Sequence, residues 1–500
     1  MGTLRRLMSD TVLYGLSSIV GRAVNFLLVP LYTALFDPAA YGIVAELYGY
    51  VAFLNVVFTY GMETAYFRFA TKDPDHRRRA YDDALSLLLL TTVALTVLLV
   101  GLAPTLARVL AYPDKAHYLV WLALTVGIDA AVALPFARLR LEGKAMKFAM
   151  TRLVNILANI GFNLFFLYFC RWVYDGELLP ALRPVIDAVY DPTLGVGYVF
   201  LSNLLANALF VVLLRRELFD FRWRFDRVRL GPLFRYAYPL LFAGLAGIAN
   251  ETLDRPLLRW HLPDDFYPGQ TPLDAVGVYS GCYKLAVIVN LGIQAFRYAA
   301  EPFFFARAAD RQSPALFARV MHWFVIVGTF TFLGISLNLE WIAPLVLRRA
   351  EYLAGVGMVP ILLLAYVFAG VYLNLSIWYK LTDRTHWGTI LLALGAAVTV
   401  GVNLLLIPVL GYWGSALATL LCYVTMSVVC YVAGQRHFPI PYQLGWGLVY
   451  LLLGVALVTF DAWLVVESPW LRWALRAGWV GLFVGVVLVR ERPLRRAVAS

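Results

Sequence analysis

The chain has 500 residues, of which 61% are apolar and 15% are charged, with a formal net charge of +11. Soluble domains are about 45–50% apolar and about 25% charged. Too few polar side chains are present to cover the surface of a soluble fold. The composition therefore excludes a soluble enzyme, a disordered chain and a disulfide-stapled secreted protein, and it predicts an all-α polytopic membrane protein.

Apolar segments long enough to cross a bilayer, which takes about 20 helical residues, follow one another along the whole chain. Fourteen transmembrane helices are predicted. They cover residues 10–36, 41–70, 81–111, 116–137, 149–170, 194–214, 232–260, 273–305, 319–345, 354–379, 388–410, 412–434, 444–466 and 471–489.

The basic residues divide unevenly between the two sets of loops. Of the 42 Lys and Arg residues, 25 fall in the two termini and the loops on their side, and 5 fall in the opposite loops. The positive-inside rule therefore predicts that both termini are cytoplasmic. We interpret the net positive charge as an orientation signal, and we expect no nucleic-acid partner.

Sequence motifs for catalysis or metal binding are missing. The chain has no GxxxxGK[ST] loop, no HExxH and no GxSxG, and its six histidines are not at ligand spacing. The four cysteines lie in apolar stretches without a CxxC pair, which favours buried thiols. We therefore predict a protein that is not an enzyme and has no metal or organic cofactor.

An internal repeat relates two parts of the chain at an offset of 235 residues. Gly42, Tyr48 and Asn55 in the second predicted span match Gly277, Tyr283 and Asn290 in the eighth. Six spans between copies preserve orientation, so the repeats are predicted to be parallel, with a central cavity and alternating access. The predicted organisation is an N-terminal lobe at 1–215, a C-terminal lobe at 216–434, and appended helices with a cytoplasmic tail at 435–500.

Ionisable residues within predicted spans are costly and usually face a cavity or a partner. Four cations form the candidate substrate site, because guanidinium and ammonium groups suit a phosphorylated head group. These cations are Arg22, Arg255, Lys284 and Arg297. Polar and acidic candidates for ion coupling or for lining the cavity are Asn25, Asn55, Asp129, Glu251, Asp254, Asn290 and Glu301.

Two alternative interpretations of these charges stay open at this point. Glu251–Arg255 and Arg297–Glu301 are each four residues apart, which is the spacing of neutralised pairs along one helix. Alternatively, the acidic residues bind Na⁺ or H⁺ as a coupling ion, and the basic residues only balance their charge.

Several ordered segments resemble the bacterial polysaccharide and oligosaccharide flippases, of the O-antigen type, which share a superfamily with lipid II flippases and multidrug extruders. The segments are GLSSIVGRAVNFLLVPLYTALFDPAAYG, YAYPLLFAGLAGIANETLDR, VGVYSGCYKLAVIVNLGIQAFRYAAEPFF, NLSIWYKLTDRTHWG and NLLLIPVLGYWGSALATLL. The resemblance implies twelve core helices in two lobes around a hydrated cavity, and two extra helices that help form a groove for a lipid tail.

The resemblance also implies a function. A flippase of this kind moves an undecaprenyl-pyrophosphate-linked oligosaccharide from the cytoplasmic to the outer leaflet of the bacterial inner membrane. Its expected partners are this substrate, membrane lipids and other polysaccharide-assembly membrane proteins. Alternatives are a lipid II flippase or a cation-coupled small-molecule exporter. A membrane oligosaccharide polymerase or ligase is disfavoured, because external residues 171–193 hold two Arg and no His.

Overall fold

The structure is a computed structural model that describes residues 26–72, 77–307 and 313–499. Within these residues every regular element is helical and no β-strand occurs, which confirms the predicted all-α class. The α-helices of the described residues run as follows: α1 Leu28–Leu35, α2 Pro38–Thr59, α3 Met62–Lys72, α4 Arg77–Val109, α5 Ala116–Leu141, α6 Ala145–Leu164, α7 Arg171–Tyr174, α8 Arg183–Ile186, α9 Gly197–Leu213, α10 Arg215–Phe219, α11 Arg227–Thr252, α12 Asp254–His261, α13 Pro272–Arg307, α14 Ser313–Leu337, α15 Leu339–Val346, α16 Ala350–Leu353, α17 Val359–Leu375, α18 Ile377–Leu381, α19 His386–Leu410, α20 Tyr412–His437, α21 Leu444–Trp463 and α22 Pro469–Ala499.

Eleven helical stretches in the described part of the chain are long and apolar enough to cross a bilayer. This makes the chain a multi-pass membrane protein. The first predicted span lies mostly among residues 1–25, outside the described residues. Helix α9 is apolar but only 17 residues long. The number fourteen therefore stays a prediction.

The seventh predicted span, at 232–260, is not one continuous helix. Helix α11 ends at Thr252, and α12 begins at Asp254. Pro256 has no N–H to donate to the carbonyl of Thr252, so the helical hydrogen-bond ladder is interrupted at this point. The prediction of an unbroken helix through this segment was wrong.

The chain divides into two compact units. The first unit comprises Met1–Leu28 and Ala40–Thr252, and the second comprises Val29–Ala39 and Leu253–Ser500. Helix α11 thus packs with the first unit, whereas the sequence placed it in the second lobe. The predicted lobe boundaries, which rest on the repeat, stay a prediction.

The core of the first unit lies where α3, α4, α5 and α11 meet. Tyr66, Tyr81, Leu85 and Leu134 are all almost fully buried in this cluster. Gly61, which joins α2 to α3, has a positive φ of 74°, and a Cβ atom there would lie 2.7 Å from the Cβ of Leu240. A glycine is therefore required for the close approach of α11.

In the second unit, α14 is the helix on which α21 and α22 pack. Leu333 on α14, Tyr450 on α21 and Phe483 on α22 are fully buried in one shared cluster. On α13, a Cβ atom at Gly277 would lie 1.8 Å from the carbonyl oxygen of Pro38. The matched glycine of the sequence repeat thus allows a backbone contact at van der Waals distance.

Candidate functional site

A polar cluster within the first unit surrounds Asp129 on α5. The side chain of Asn207 on α9 donates to Asp129 Oδ1 at 3.0 Å, and Asn155 on α6 donates to Asn207 Oδ1 at 2.9 Å. One helical turn before Asn207, Asn203 donates to the hydroxyl of Tyr48 on α2 at 2.8 Å. Three helices thus supply the hydrogen-bonded chain of Asn155, Asn207 and Asp129, and the Asn203–Tyr48 pair lies one helical turn along α9.

The carboxylate of the Asp129 cluster is not balanced by a positively charged partner in direct contact in the described part of the chain. Within the described residues Asp129 has no ion pair within 4.0 Å, and Asn207 is its one hydrogen-bond donor. Arg152 acts on Asp129 electrostatically, but its guanidinium carbon lies 4.2 Å above the ring of Phe136. Carboxylate and amide oxygens are the ligands of hard cations, so this arrangement can hold a proton or a small cation.

The second unit contains a different polar cluster where α12 meets α13. Arg255 Nη1 donates to Asp254 Oδ1 at 2.9 Å, and the hydroxyl of Tyr279 donates to Asp254 Oδ2. The guanidinium of Arg255 lies 4.3 Å from the ring centroid of Tyr283, whose hydroxyl accepts from Tyr366 at 2.7 Å. Asp254 and Arg255 are 4% and 8% exposed. Their charges neutralise each other away from solvent.

The other predicted cations of the second unit lie further along α13. Lys284 is half-buried directly after Tyr283, and no carboxylate of the described residues lies within ion-pair distance of it. Arg297 Nε lies 3.9 Å from Glu301 Oε1, as its helical spacing suggested. Glu301 is also 2.6 Å from Lys380 Nζ on α18. Lys284 is thus the predicted cation here whose charge has no acidic partner in the described part of the chain.

Five other predicted site residues lie outside the two polar clusters or outside the described residues. Arg22 and Asn25 lie outside the described residues. Asn55 is half-buried on α2, and Asn290 accepts a long hydrogen bond of 3.4 Å from Gln294. Glu251 is exposed at the end of α11, and its pairing with Arg255 stays a prediction.

The structure brings together three residues that the sequence analysis did not identify as a site. His322 Nε2 on α14 and the hydroxyl of Tyr450 on α21 both lie 2.9 Å from Glu491 Oε1 on α22. His322 also lines an apolar groove of about 230 Å³ between α14, α17, α20 and α21. The three residues are far apart in sequence, so no local pattern could have found them. The Asn203–Asn207 spacing of four is the signal that could have extended the Asp129 site.

An exposed ion-pair cluster joins the ends of α4 and α5 to the segment before α11. Arg78 donates two hydrogen bonds of 2.7 Å to the carboxylate of Asp220, and Arg138 donates a third at 3.2 Å. The hydrogen bonds from Arg78 hold the pKa of Asp220 well below its usual range. This segment is predicted to be cytoplasmic, and the cluster fixes it to the first unit.

The cysteines are structural. Cys170, Cys282, Cys422 and Cys430 are all buried and unbridged, as predicted. Thiols of this kind behave as small apolar groups.

Comparison with known proteins places this fold. A solved structure of the lipid II flippase MurJ, in an inward closed conformation, has a TM-score of 0.72 and 12% identity, covering 97% of this chain and 99% of that one. An inward-facing multidrug resistance MATE family transporter of the MOP superfamily has a TM-score of 0.64 and 14% identity, covering 83% of this chain and 94% of that one.

An outward-facing structure described in the same way has a TM-score of 0.60 and 14% identity, covering 86% of this chain and 95% of that one. A comparison with curated proteins found no match. The family described as Polysaccharide biosynthesis protein matches residues 7–306, which is three fifths of the chain. This multi-pass helical chain, with the fold shared by those flippase and transporter structures, therefore belongs to the polysaccharide biosynthesis protein family.

Proposed function

We propose that this protein is a flippase that moves an undecaprenyl-pyrophosphate-linked oligosaccharide from the cytoplasmic to the outer leaflet of the bacterial inner membrane. The observation that carries the proposal is the family match over residues 7–306 in a chain with a multi-pass helical fold. A polysaccharide biosynthesis protein that consists almost entirely of membrane helices would contact its sugars at the bilayer. Sugars are held at a bilayer by attachment to a lipid.

Lys284 is the best supported phosphate-binding residue of the described chain. Its ammonium group is half-buried on a membrane-spanning helix without an acidic partner among the described residues. A charge in this setting is stabilised by water or by an anion. Arg255 is offset by Asp254, and Arg297 faces Glu301, so each is a weaker candidate. The assignment of Arg22 rests on the sequence alone.

The Asp129 cluster is proposed as the site of the coupling ion, H⁺ or Na⁺. Asp129 has amide neighbours and no ion pair within the described residues. A carboxylate of this kind has an unsatisfied charge that a proton or small cation relieves. Uptake and release of that ion would then bias the first unit between two states.

The distribution of basic residues supports an orientation with both termini in the cytoplasm. In this orientation the lipid-linked substrate is delivered from the cytoplasmic leaflet, and other membrane proteins of polysaccharide assembly would take it up from the outer leaflet. We propose no enzymatic step in this chain.

The test is leaflet transfer by the purified full-length protein in liposomes. An undecaprenyl-pyrophosphate-linked oligosaccharide is followed by its accessibility to an added glycosidase, with and without Na⁺ and H⁺ gradients. We expect transfer by the wild-type protein and a loss of at least tenfold in Lys284→Gln, because one charge-assisted hydrogen bond contributes about 1.5–3 kcal/mol. Lys115→Gln, at a half-buried lysine outside the polar clusters, is the matched control. Transfer of lipid II but not of the oligosaccharide would overturn the proposal.

A further inference from the structure

An elongated apolar groove within the second unit is lined by α13, α14 and one residue of α17. Its volume is about 480 Å³. Its walls include Gly292 and Phe296 on α13, and Trp323, Gly328 and Thr331 on α14. A Cβ atom at Gly292 would have no neighbour within 4 Å. The groove is therefore open at this glycine, and a side chain placed there would enter it.

The dimensions of the groove suit one hydrocarbon chain. Its lining runs along α14 from Leu316 to Thr331, which is ~22 Å at the helical rise of ~1.5 Å per residue. Trp323 and Val327 in this wall are 38% and 59% exposed. In a membrane, an apolar surface of this kind already faces hydrocarbon, so binding a lipid chain carries no desolvation cost. The preference for one lipid over another therefore depends on the charge at the end of the groove.

The groove has a single ionisable residue, Arg319, near the N-terminal end of α14. Arg319 is exposed, and within the described residues it forms no ion pair and no hydrogen bond. The positive-inside rule predicts that this end of α14 is cytoplasmic. A guanidinium at the mouth of an apolar groove is complementary to a phosphate attached to a hydrocarbon chain.

The groove on the opposite face of α14 offers a useful contrast. Its one basic lining residue is His322, which is already bonded to Glu491. Both grooves can accept a chain, but the groove between α13 and α14 also presents a cation without a partner in the described part of the molecule. Charge complementarity therefore favours the α13–α14 groove for an anionic lipid.

We infer that the α13–α14 groove binds the isoprenoid chain of a polyprenyl phosphate, with Arg319 contacting the phosphate. This inference rests on the proposed function, because it assigns the place where the lipid carrier docks. A polyprenyl phosphate places one chain directly below its phosphate, in line with Arg319 and the groove. A glycerophospholipid places two chains below one phosphate, so one of its chains would remain outside a single groove.

The test is photo-cross-linking in the full-length protein, with Val327 replaced by the photoreactive residue p-benzoylphenylalanine. Undecaprenyl phosphate is the probe, and undecaprenol and phosphatidylglycerol are competitors in separate arms. We expect an adduct with undecaprenyl phosphate that tenfold excess of either competitor leaves largely intact. Arg319→Gln should reduce the adduct about tenfold, and Arg319→Lys should retain part of it. Equal competition by phosphatidylglycerol would overturn the inference.

A matched pair of glycine variants separates the two grooves. Gly292→Phe fills the α13–α14 groove, whereas Gly447→Phe, where a Cβ atom would have its nearest neighbour at 4.0 Å, enters the opposite groove. We expect Gly292→Phe to abolish the adduct and Gly447→Phe to preserve it, with unchanged thermal unfolding midpoints in both. The reverse result would assign the chain to the opposite groove and refute the inference.

Binding and transfer are scored separately, so the two proposals fail in different ways. An adduct that obeys these controls in a protein without leaflet transfer would refute the flippase proposal and support the groove. Leaflet transfer that is unaffected by Arg319→Gln and Gly292→Phe, without any adduct, would support the flippase proposal and refute the groove.

Discussion

Each of the two units contains a carboxylate within a polar cluster, and the two carboxylates differ in their partners. Asp129 in the first unit is surrounded by amides, whereas Asp254 in the second is paired with Arg255 and a tyrosine hydroxyl. The repeat partners Tyr48 and Tyr283 belong one to each cluster, where Tyr48 accepts from Asn203 and Tyr283 from Tyr366.

The difference shows that two helical units of one chain can hold a carboxylate in different electrostatic surroundings. A carboxylate next to an arginine has a resident counter-charge and gains little from another cation. A carboxylate next to amides keeps a negative charge that a proton or metal ion can neutralise. The first cluster is therefore suited to reversible ion binding, and the second is suited to holding α12 against α13.

The largest expected effect is on the buried pair of the second unit. Asp254→Ala leaves Arg255 without this carboxylate in a site where its side chain is about 10% exposed, which should cost about 3–5 kcal/mol of folding free energy. We expect a strongly lowered midpoint of thermal unfolding in detergent. The double variant Asp254→Leu with Arg255→Met should recover most of the loss. An unchanged midpoint in Asp254→Ala would show that the pair does not hold α12 in place.

A smaller loss is expected at the close-packed glycine of the same unit. In Gly277→Ala the new methyl group would overlap the carbonyl oxygen of Pro38, and overpacking of this kind costs about 1–3 kcal/mol. The matched control is Gly401→Ala on α19, where a Cβ atom has open space and the higher helix propensity of alanine should stabilise by up to ~1 kcal/mol. Opposite shifts in the unfolding midpoint are the expected result, and equal shifts would contradict it.

A substitution in the Asp129 cluster of the first unit should reduce transport rather than the stability of the fold. Asp129→Asn preserves the shape and the acceptor oxygen for Asn207 but removes the charge. We expect at least a tenfold loss of ion-gradient stimulation in the liposome assay, with an unfolding midpoint close to that of the wild type. Asp175→Asn, at an exposed position, is the control. Full stimulation by a gradient in Asp129→Asn would remove this residue from the coupling site.

The smallest effect is expected at the exposed ion pairs of the first unit. Asp220→Asn removes the partner of Arg78 and Arg138, and because Asp220 is more than half exposed the loss should be about 1 kcal/mol or less. The pKa of Asp220 is lowered in the folded state by its hydrogen bonds from Arg78.

The stabilisation by Asp220 is therefore present above the usual carboxylate pKa of about 4 and is lost as the pH falls through the lowered value. Unfolding midpoints between pH 7 and pH 3 should fall more steeply for the wild type than for Asp220→Asn. Parallel pH profiles would show that the cluster contributes nothing to stability.

Much of the site could be listed from the sequence because buried charges are rare in apolar spans. Asp129, Asp254, Arg255 and Lys284 stand out for this reason, and each lies on a helix that was predicted. Their partners could not be listed in the same way. Asn155 and Asn207 are ordinary polar residues on separate helices, and only packing brings them to Asp129.

The sequence alone determined that this chain is an all-helical membrane protein, because it has too few polar side chains to cover the surface of a soluble fold. It also determined roughly where most spans lie, since a helix needs about 20 apolar residues to cross the hydrocarbon. Tertiary structure decided which charges are neutralised: Arg255 by Asp254, Glu301 by Arg297 and Lys380, and His322 beside Glu491. Electrostatic interactions depend on distances of a few ångströms between helices far apart in sequence, and helix packing alone fixes those distances.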